Sequence, residues 1–89
     1  MNASVKIPAD PSIGIRYYPC QRQQGSLHKV PLVLVHGWGA DSHIWGSLPQ
    51  QLSQWVDIIT LDLPGFGDSA PIADYSESSL LGWLGGALP

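Results

Sequence analysis

Basic side chains are scarce in this sequence, and they stop early. Only 4 of the 89 residues are lysine or arginine. All of them lie before residue 30, whereas six of the seven acidic residues follow it, and the formal net charge is -3. A protein that binds nucleic acid carries a basic patch that neutralises phosphates, and no such patch is present here. The composition therefore argues against nucleic acid as a partner.

Cysteines and long apolar runs are also lacking. The single cysteine, Cys20, can form no internal disulfide, and no cysteine motif surrounds it, so we expect a bystander thiol. No stretch approaches the ~20 apolar residues of a membrane-spanning helix. Residues 1–11 contain Pro8, Asp10 and Pro11 and no apolar core of a secretion signal. We expect a flexible N-terminus over residues 1–11 and a cytoplasmic protein.

Two apolar runs that each open into a glycine turn stand out among the residues that are present. Residues 31–35 read Pro-Leu-Val-Leu-Val and precede His-Gly-Trp-Gly at residues 36–39. The second run, residues 56–61, precedes Asp-Leu-Pro-Gly-Phe-Gly-Asp-Ser at residues 62–69. Such runs, separated by a helix-like stretch, predict a β-α-β unit of a parallel sheet, with the first strand buried on both faces. Residues 13–19 show a looser alternation of apolar and other residues and end at a proline, which predicts an edge strand.

The stretch between the two runs carries a helical stripe. Apolar residues recur there at spacings of three, four and three, namely Trp45, Leu48, Leu52 and Trp55. The stripe predicts a helix packed on the sheet and capped by Asp41 or Ser42. Because Pro49 lies inside it, we expect a short first turn with a restart near Leu48, or a kink. A second helix is predicted over residues 72–89, where Asp-Tyr-Ser-Glu is a variant of the capping box.

The loop after the first predicted strand is suited to bind an anion. In ester or amide hydrolysis the carbonyl oxygen gains negative charge, and each fixed backbone N–H aimed at it lowers the barrier by about 3 to 4 kcal/mol. The expected donor is the backbone of Trp38, because the flanking glycines let the chain turn sharply. The Trp38 ring would then form one wall of an acyl or alcohol pocket. For the tetrapeptide alone a plain strand-to-helix connection stays open, since glycines after strands are common.

As a pair, the two glycine turns resemble the N-terminal part of the α/β-hydrolase fold superfamily. An HG-containing loop after the third strand and a D-x-P-G-x-G-x-S turn after the fourth carry the resemblance, over residues 32–69. Within the superfamily the segments look most like the pimeloyl-acyl-carrier-protein methyl ester esterases of biotin synthesis. The resemblance implies an α/β fold class with a mostly parallel sheet and flanking helices, of which residues 12–89 would be the N-terminal portion. We expect a fragment truncated before the nucleophile elbow, since buried parallel strands need neighbours that this chain does not supply.

For function, the resemblance implies a serine carboxylesterase that uses no cofactor. In such enzymes a Ser on a G-x-S-x-G turn attacks the ester, a His acts as base and acid, and an Asp orients the His. None of the three can be assigned here, because the nearest look-alike, residues 82–86, has Leu84 at its centre. The triad is expected beyond Pro89, and the chain alone is predicted to be inactive. The expected substrate is a small-molecule ester, carried on acyl carrier protein in the narrower resemblance.

The remaining residues of the two glycine turns are expected to shape the loops, and they are His36, Gly37, Gly39, Asp62, Gly65 and Gly67. His36 precedes any nucleophile, contrary to the order Ser, acid, His, so its ring is expected to bond loop backbone. Asp62 comes before a Pro-Gly turn and is expected to accept backbone N–H groups. His28 and His43 have no partners at a metal-ligand spacing, so no metal site is predicted.

Two alternatives stay open. Another branch of the same fold, such as a dehalogenase or an epoxide hydrolase, would carry an Asp nucleophile on a G-x-D-x-G turn. A genuine short polypeptide without catalysis would instead bind a partner through unpaired strands and exposed apolar helix faces. Exposed edges of central strands invite aggregation, which argues against that second alternative.

Overall fold

The computed structural model describes Ile7 and residues 9–88. Most of the terminus predicted to be flexible, residues 1–6 and 8, lies outside the described residues. The described part forms three strands, β1 at Ile15–Tyr18, β2 at Leu32–Val35 and β3 at Ile58–Leu61. It also forms a 3₁₀ turn at Ser42–Trp45 and two helices, α1 at Leu48–Leu52 and α2 at Glu77–Ala87.

The three strands form one mixed sheet in the order β1-β3-β2. β2 runs parallel to β3, with Leu32 opposite Ile58 and Val35 opposite Leu61. β1 lies antiparallel on the other side of β3 and is an edge strand of this sheet, as predicted. The connection from β2 through α1 to β3 confirms the predicted β-α-β unit. Because β2 and β3 are parallel neighbours, the loops that follow them leave the sheet at the same edge.

The core is centred on β3, which is buried along its whole length. Ile58, Ile59 and Leu61 are all 0% exposed. The prediction that residues 31–35 form a strand buried on both faces is wrong for the described chain, because Leu32 is 45% and Val35 40% exposed. β2 pairs with β3 on one side and has no described strand on the other. Burial follows from a strand's neighbours, which an apolar run does not specify.

The helical stretch between β2 and β3 is divided into two elements, as expected from the position of Pro49. Asp41 caps the 3₁₀ turn by accepting the His43 N–H at 2.9 Å. The chain then restarts as α1 at Leu48, with Pro49 in its first turn. The predicted packing of the apolar stripe is only partly correct, since Leu48 and Trp55 are exposed and Pro49 is the buried residue of α1. Because the helix is interrupted, the apolar residues before and after the break no longer share one face.

α2 begins later than the capping-box variant predicted. Its N-cap is Ser76, whose hydroxyl accepts the Ser79 N–H. Asp74 supports this cap, because its carboxylate accepts the Ser76 N–H at 2.9 Å and the Ser79 hydroxyl at 3.0 Å. Ala87 is the buried residue of α2. None of the helices in the described residues is both long and apolar enough to span a membrane.

One buried hydroxyl in β3 yields a stability prediction. Thr60 is 2% exposed, and its Oγ1 has no hydrogen-bond partner among the described residues. Thr60→Val replaces that hydroxyl by a methyl group of the same shape in a strand, so it should raise the free energy of unfolding by about 1 kcal/mol. Equilibrium urea unfolding measures the change. Thr60→Ser keeps the hydroxyl and removes a methyl group, so it should destabilise the protein; a stabilising Ser and a destabilising Val would contradict the assignment.

Candidate functional site

Two loops meet at the carboxyl edge of β2 and β3. The glycine loop, residues 36–41, follows β2, and the glycine turn, residues 62–69, follows β3. Two hydrogen bonds fasten the two segments: Leu63 N–H donates to His36 Nε2 at 2.9 Å, and Ser42 N–H donates to Asp62 Oδ1 at 2.7 Å. The structure thus brings together the two segments that the sequence analysis singled out.

His36 lies under the glycine loop and is only 4% exposed. Its Nδ1 lies 2.7 Å from the Gly37 carbonyl oxygen, and its Nε2 receives the Leu63 N–H. A carbonyl can only accept and an N–H can only donate, so this pattern requires a neutral imidazole with its proton on Nδ1. Both ring nitrogens are bonded to backbone, and neither is free to take a proton from a nucleophile. This geometry supports the loop-shaping role expected for His36.

Asp62 receives backbone donors from both loops while it is 2% exposed. Besides the Ser42 N–H on Oδ1, Oδ2 accepts the Asp68 N–H at 3.0 Å. Burial acts to raise the pKa of the Asp62 carboxyl, but the hydrogen bonds donated by Asp68 and Ser42 outweigh it. The pKa therefore lies below its ordinary value of 3.8.

Ser69 ties this network to the segment that precedes β1. Its hydroxyl donates to the Asp62 carbonyl oxygen at 2.6 Å and accepts the Gly14 N–H at 2.8 Å. Ser69, His36 and Asp62 are the residue types of a hydrolase triad, yet no hydrogen bond joins Ser69 to His36 in the part of the chain that the structure describes. The three side chains bond backbone instead and act as supports for the loops.

Two glycines allow the chain to close around the Asp62 carboxylate. Gly67 has a φ of +51°, and a Cβ at this position would lie 2.5 Å from Asp62 Cγ. A Cβ on Gly14 would lie 2.6 Å from Asp62 Oδ2. Gly14 was missed in the sequence analysis. The signal was a glycine inside an otherwise apolar strand run, which often marks a close backbone approach.

Trp38 lies at the outer side of the glycine loop and is 65% exposed. The backbone N–H of Trp38 donates to no acceptor among the described residues. In the turn that follows, the Ala40 N–H donates to the Gly37 carbonyl oxygen at 3.1 Å. Gly39 has a φ of +89°, which favours glycine there. Gly37 has no such requirement, and a Cβ on it would meet no atom within 4 Å. The space beside the Gly37 Cα is therefore open, and the Trp38 backbone N–H is left without an acceptor among the described residues.

The indole of Trp38 belongs to an aromatic cluster, which we define as Trp38, Phe66 and Tyr75. The Trp38 ring meets Phe66 edge-on at 4.9 Å between centroids, and Tyr75 edge-on at 5.8 Å. Phe66 also contacts the His36 ring edge-on at 5.8 Å. The cluster therefore connects the exposed indole to the buried support of the loop.

Two cavities among the described residues have linings that do not include Trp38. One, of about 370 Å³, is apolar and lies beside the start of β2, between Leu32, Leu52 and Trp55. The other, of about 320 Å³, lies between Ile13, Pro71 and Trp83. Trp38 lines neither of these two cavities, so the role of its ring as one wall of an acyl or alcohol pocket stays a prediction.

Three comparisons with known proteins agree on the fold. A family model for the alpha/beta hydrolase fold matches residues 30–84. The biotin biosynthesis bifunctional protein BioHC of Cellvibrio japonicus (strain Ueda107) is 40% identical over 58 residues, which are 65% of this chain and 12% of that protein. The Cif epoxide hydrolase from Acinetobacter nosocomialis superposes with a TM-score of 0.64 at 29% identity, over 94% of this chain and 25% of that structure. The chain thus spans a small part of the proteins it resembles.

The hydrogen bonds of Asp62 predict that Asp62→Asn lowers stability at neutral pH and that this difference from wild type disappears in acid. The amide can accept one N–H, but its own NH₂ group then faces the other donor, so the variant should lose about 2 kcal/mol near neutral pH. Because the folded pKa is below 3.8, the carboxylate's contribution is complete above that value and is lost as the pH falls through the folded pKa. Urea unfolding at several pH values should show the gap between wild type and variant closing below about pH 4.

The matched control is Asp68→Asn. The Asp68 side chain is 70% exposed and lies 3.6 Å from Arg16 in a surface ion pair, so this change should alter stability by less than about 0.5 kcal/mol. Equal losses in the two variants would contradict the assignment of the network to Asp62.

The conformation and close contacts of Gly67 lead to a second prediction about stability. Gly67→Ala combines a left-handed backbone with a clash against the Asp62 carboxylate and should cost about 2 to 4 kcal/mol. Gly82→Ala in α2 serves as the control, because a Cβ there meets no atom within 4 Å and alanine favours a helix, so stability should rise by up to about 1 kcal/mol. Thermal unfolding of both variants measures the difference, and similar melting temperatures would argue against the tight packing at Gly67.

Proposed function

The chain belongs to the α/β-hydrolase fold family, and from that premise we propose that its protein is a serine carboxylesterase to which the Trp38 N–H supplies one oxyanion donor. The observation that carries the proposal is that this N–H has no acceptor within Ile7 and residues 9–88. It lies at the carboxyl end of a parallel strand, where sheets of this class bind their ligands.

The support under the loop favours such a role. Partly buried hydrogen bonds at His36 and, through Ser42, at Asp62 fasten the two ends of the glycine loop, so the donor is held in place before a substrate arrives. Preorganised donors stabilise a developing charge without reorganising during the reaction. A flexible loop would lose part of that stabilisation in becoming ordered.

The proposed chemistry is acyl transfer through a serine that lies outside these 89 residues. The serine oxygen attacks the ester carbonyl carbon while a histidine accepts its proton, and the carbonyl oxygen becomes an oxyanion that accepts the Trp38 N–H. The intermediate collapses, the alcohol leaves with the proton from the histidine, and water then hydrolyses the acyl-enzyme. The chain by itself supplies one oxyanion donor and one wall, and we propose that it is inactive alone.

For the substrate we propose the methyl ester of an acyl chain carried on acyl carrier protein, acted on in the cytoplasm. Support comes from the motif resemblance to the pimeloyl-acyl-carrier-protein methyl ester esterases and from the similarity to BioHC, a protein named for biotin biosynthesis. The exposed aromatic cluster is suited to an apolar acyl or methyl group.

An epoxide hydrolase is the second candidate, favoured by the similarity to the Cif epoxide hydrolase. In that case an aspartate would attack an epoxide carbon, the ring C–O bond would break, and the released alkoxide oxygen would take up a proton. Hydrolysis of the resulting alkyl-enzyme ester would again generate an oxyanion. The Trp38 N–H would serve both reactions. The nucleophile therefore separates the two candidates, and the glycine loop does not.

A fluorophosphonate probe tests the nucleophile in the full-length protein. A serine esterase should be labelled covalently and should hydrolyse p-nitrophenyl esters, whereas an aspartate enzyme should stay unlabelled and hydrolyse epoxides. In a single turnover in ¹⁸O-water, the esterase places ¹⁸O in the product acid, and the aspartate enzyme places it in its own carboxylate. An unlabelled protein without esterase activity would overturn the proposal.

The oxyanion donor is tested by two substitutions at one position. Trp38→Pro removes the N–H and should lower kcat by about 10²- to 10³-fold. Trp38→Ala keeps the N–H and removes the ring, so its loss should appear mainly as a higher KM. Far-UV circular dichroism checks that both variants fold. Equal kcat values for the two variants would show that the Trp38 N–H is not a donor.

A further inference from the structure

We propose that Tyr75 is a positioning residue for Trp38, and that the aromatic cluster as a whole, rather than Trp38 alone, sets which ester the site accepts. The inference rests on the proposed function, because it assigns a specificity to the same site. It is carried by the contacts of the Tyr75 ring and hydroxyl.

The Tyr75 hydroxyl joins two segments beside the glycine loop. It donates to the Pro64 carbonyl oxygen at 3.2 Å and receives the Ile72 N–H at 3.4 Å. The first of these contacts lies in the glycine turn and the second in the segment that leads to α2. The phenol is therefore fixed at its polar end, although Tyr75 is 39% exposed.

Gly65 shows how closely the hydroxyl is fitted to the turn. This glycine has a φ of +86°, and a Cβ on it would lie 2.6 Å from the Tyr75 hydroxyl oxygen. Any other residue at position 65 would thus strain the backbone and also displace Tyr75. The turn and the tyrosine are complementary in shape, which a loosely placed surface side chain would not require.

The other end of Tyr75 contacts the indole. The two rings are nearly perpendicular, at 89°, with 5.8 Å between centroids. Phe66 contacts the same indole at 4.9 Å and 73°. The backbone of Trp38 lies in the fastened glycine loop, but its side chain is 65% exposed, so few other groups restrain the indole ring. The edge-on contacts with Tyr75 and Phe66 are therefore what orients the ring.

The chemistry of the cluster indicates the kind of group that it contacts. The Tyr75 hydroxyl is engaged by backbone, so the cluster offers ring carbon rather than a free phenol to a neighbouring ligand. Such a surface favours an uncharged apolar group beside the ester carbonyl and disfavours an anionic one, which would lose hydration without gaining a partner. Longer alkyl chains gain more from the wall than short ones.

The test compares esters of increasing length in the full-length protein. For p-nitrophenyl octanoate relative to acetate, the ratio of kcat/KM should fall about three- to tenfold in Tyr75→Leu, mainly through KM. Tyr75→Phe keeps the ring and removes the hydroxyl, so it should give a smaller change in the same direction. Tyr18→Phe is the matched control, because Tyr18 lies in β1 outside the cluster, and its ratio should equal that of wild type.

A spectroscopic measurement reports on Trp38 without any substrate. In the full-length protein with every tryptophan except Trp38 replaced by phenylalanine (Trp45, Trp55 and Trp83 within these residues), selectively excited tryptophan fluorescence follows Trp38 alone. Tyr75→Leu should increase acrylamide quenching of this fluorescence, and Tyr18→Phe should leave it unchanged. Phe66→Leu, which removes the second ring contact, should act in the same direction as Tyr75→Leu.

The two measurements separate two failures. If the wild-type protein hydrolyses no ester while Tyr75→Leu still frees Trp38, the proposed function fails and the positioning role stands. If esters are hydrolysed but neither the length ratio nor the Trp38 signal responds to Tyr75→Leu and Tyr75→Phe, the positioning proposal is overturned. Should the leucine variant not fold, the phenylalanine variant decides, because it changes only the hydroxyl contacts.

Discussion

The buried carboxylate of Asp62 is the interaction on which the carboxyl edge of the sheet depends. A buried carboxylate is costly unless hydrogen-bond donors surround it, and here the donors come from Ser42 after the glycine loop and from Asp68 in the glycine turn. Two glycines leave the room that this closure needs. One side chain thereby holds segments that are distant in sequence in a fixed relation.

Side chains of the described residues hold the glycine loop on its buried side, whereas backbone N–H groups of the loop have no acceptor. His36 uses both ring nitrogens on backbone groups, and Ser69 uses its hydroxyl in the same way. The polar side chains that resemble catalytic groups are thus occupied in support. Among the described residues the backbone N–H groups of Gly37, Trp38 and Gly39 have no acceptor, and in the proposed function the Trp38 N–H is the one that binds the developing charge.

Local signals in the sequence predicted the β-α-β unit and the restart at Leu48, because each depends on residues close together in the chain. The support of the site depends on distant ones. Ser69 and Gly14 are bonded across a separation of 55 residues, and no periodicity in either segment indicates the other. The exposure of β2 and the contact of Tyr75 with Trp38 likewise depend on how elements that are distant in the sequence pack together.

The strand order β1-β3-β2 has a consequence for synthesis on the ribosome. β1 is made first, but its hydrogen-bonding partner is β3, which begins about 40 residues after β1 ends, counting from Tyr18 to Ile58. At roughly 5–20 residues per second, β1 waits about 2–8 s for that partner. β2 also emerges before the strand that separates it from β1. β1 and β2 therefore lack the strand that lies between them until Leu61 has left the exit tunnel, and they must avoid pairing with each other until then.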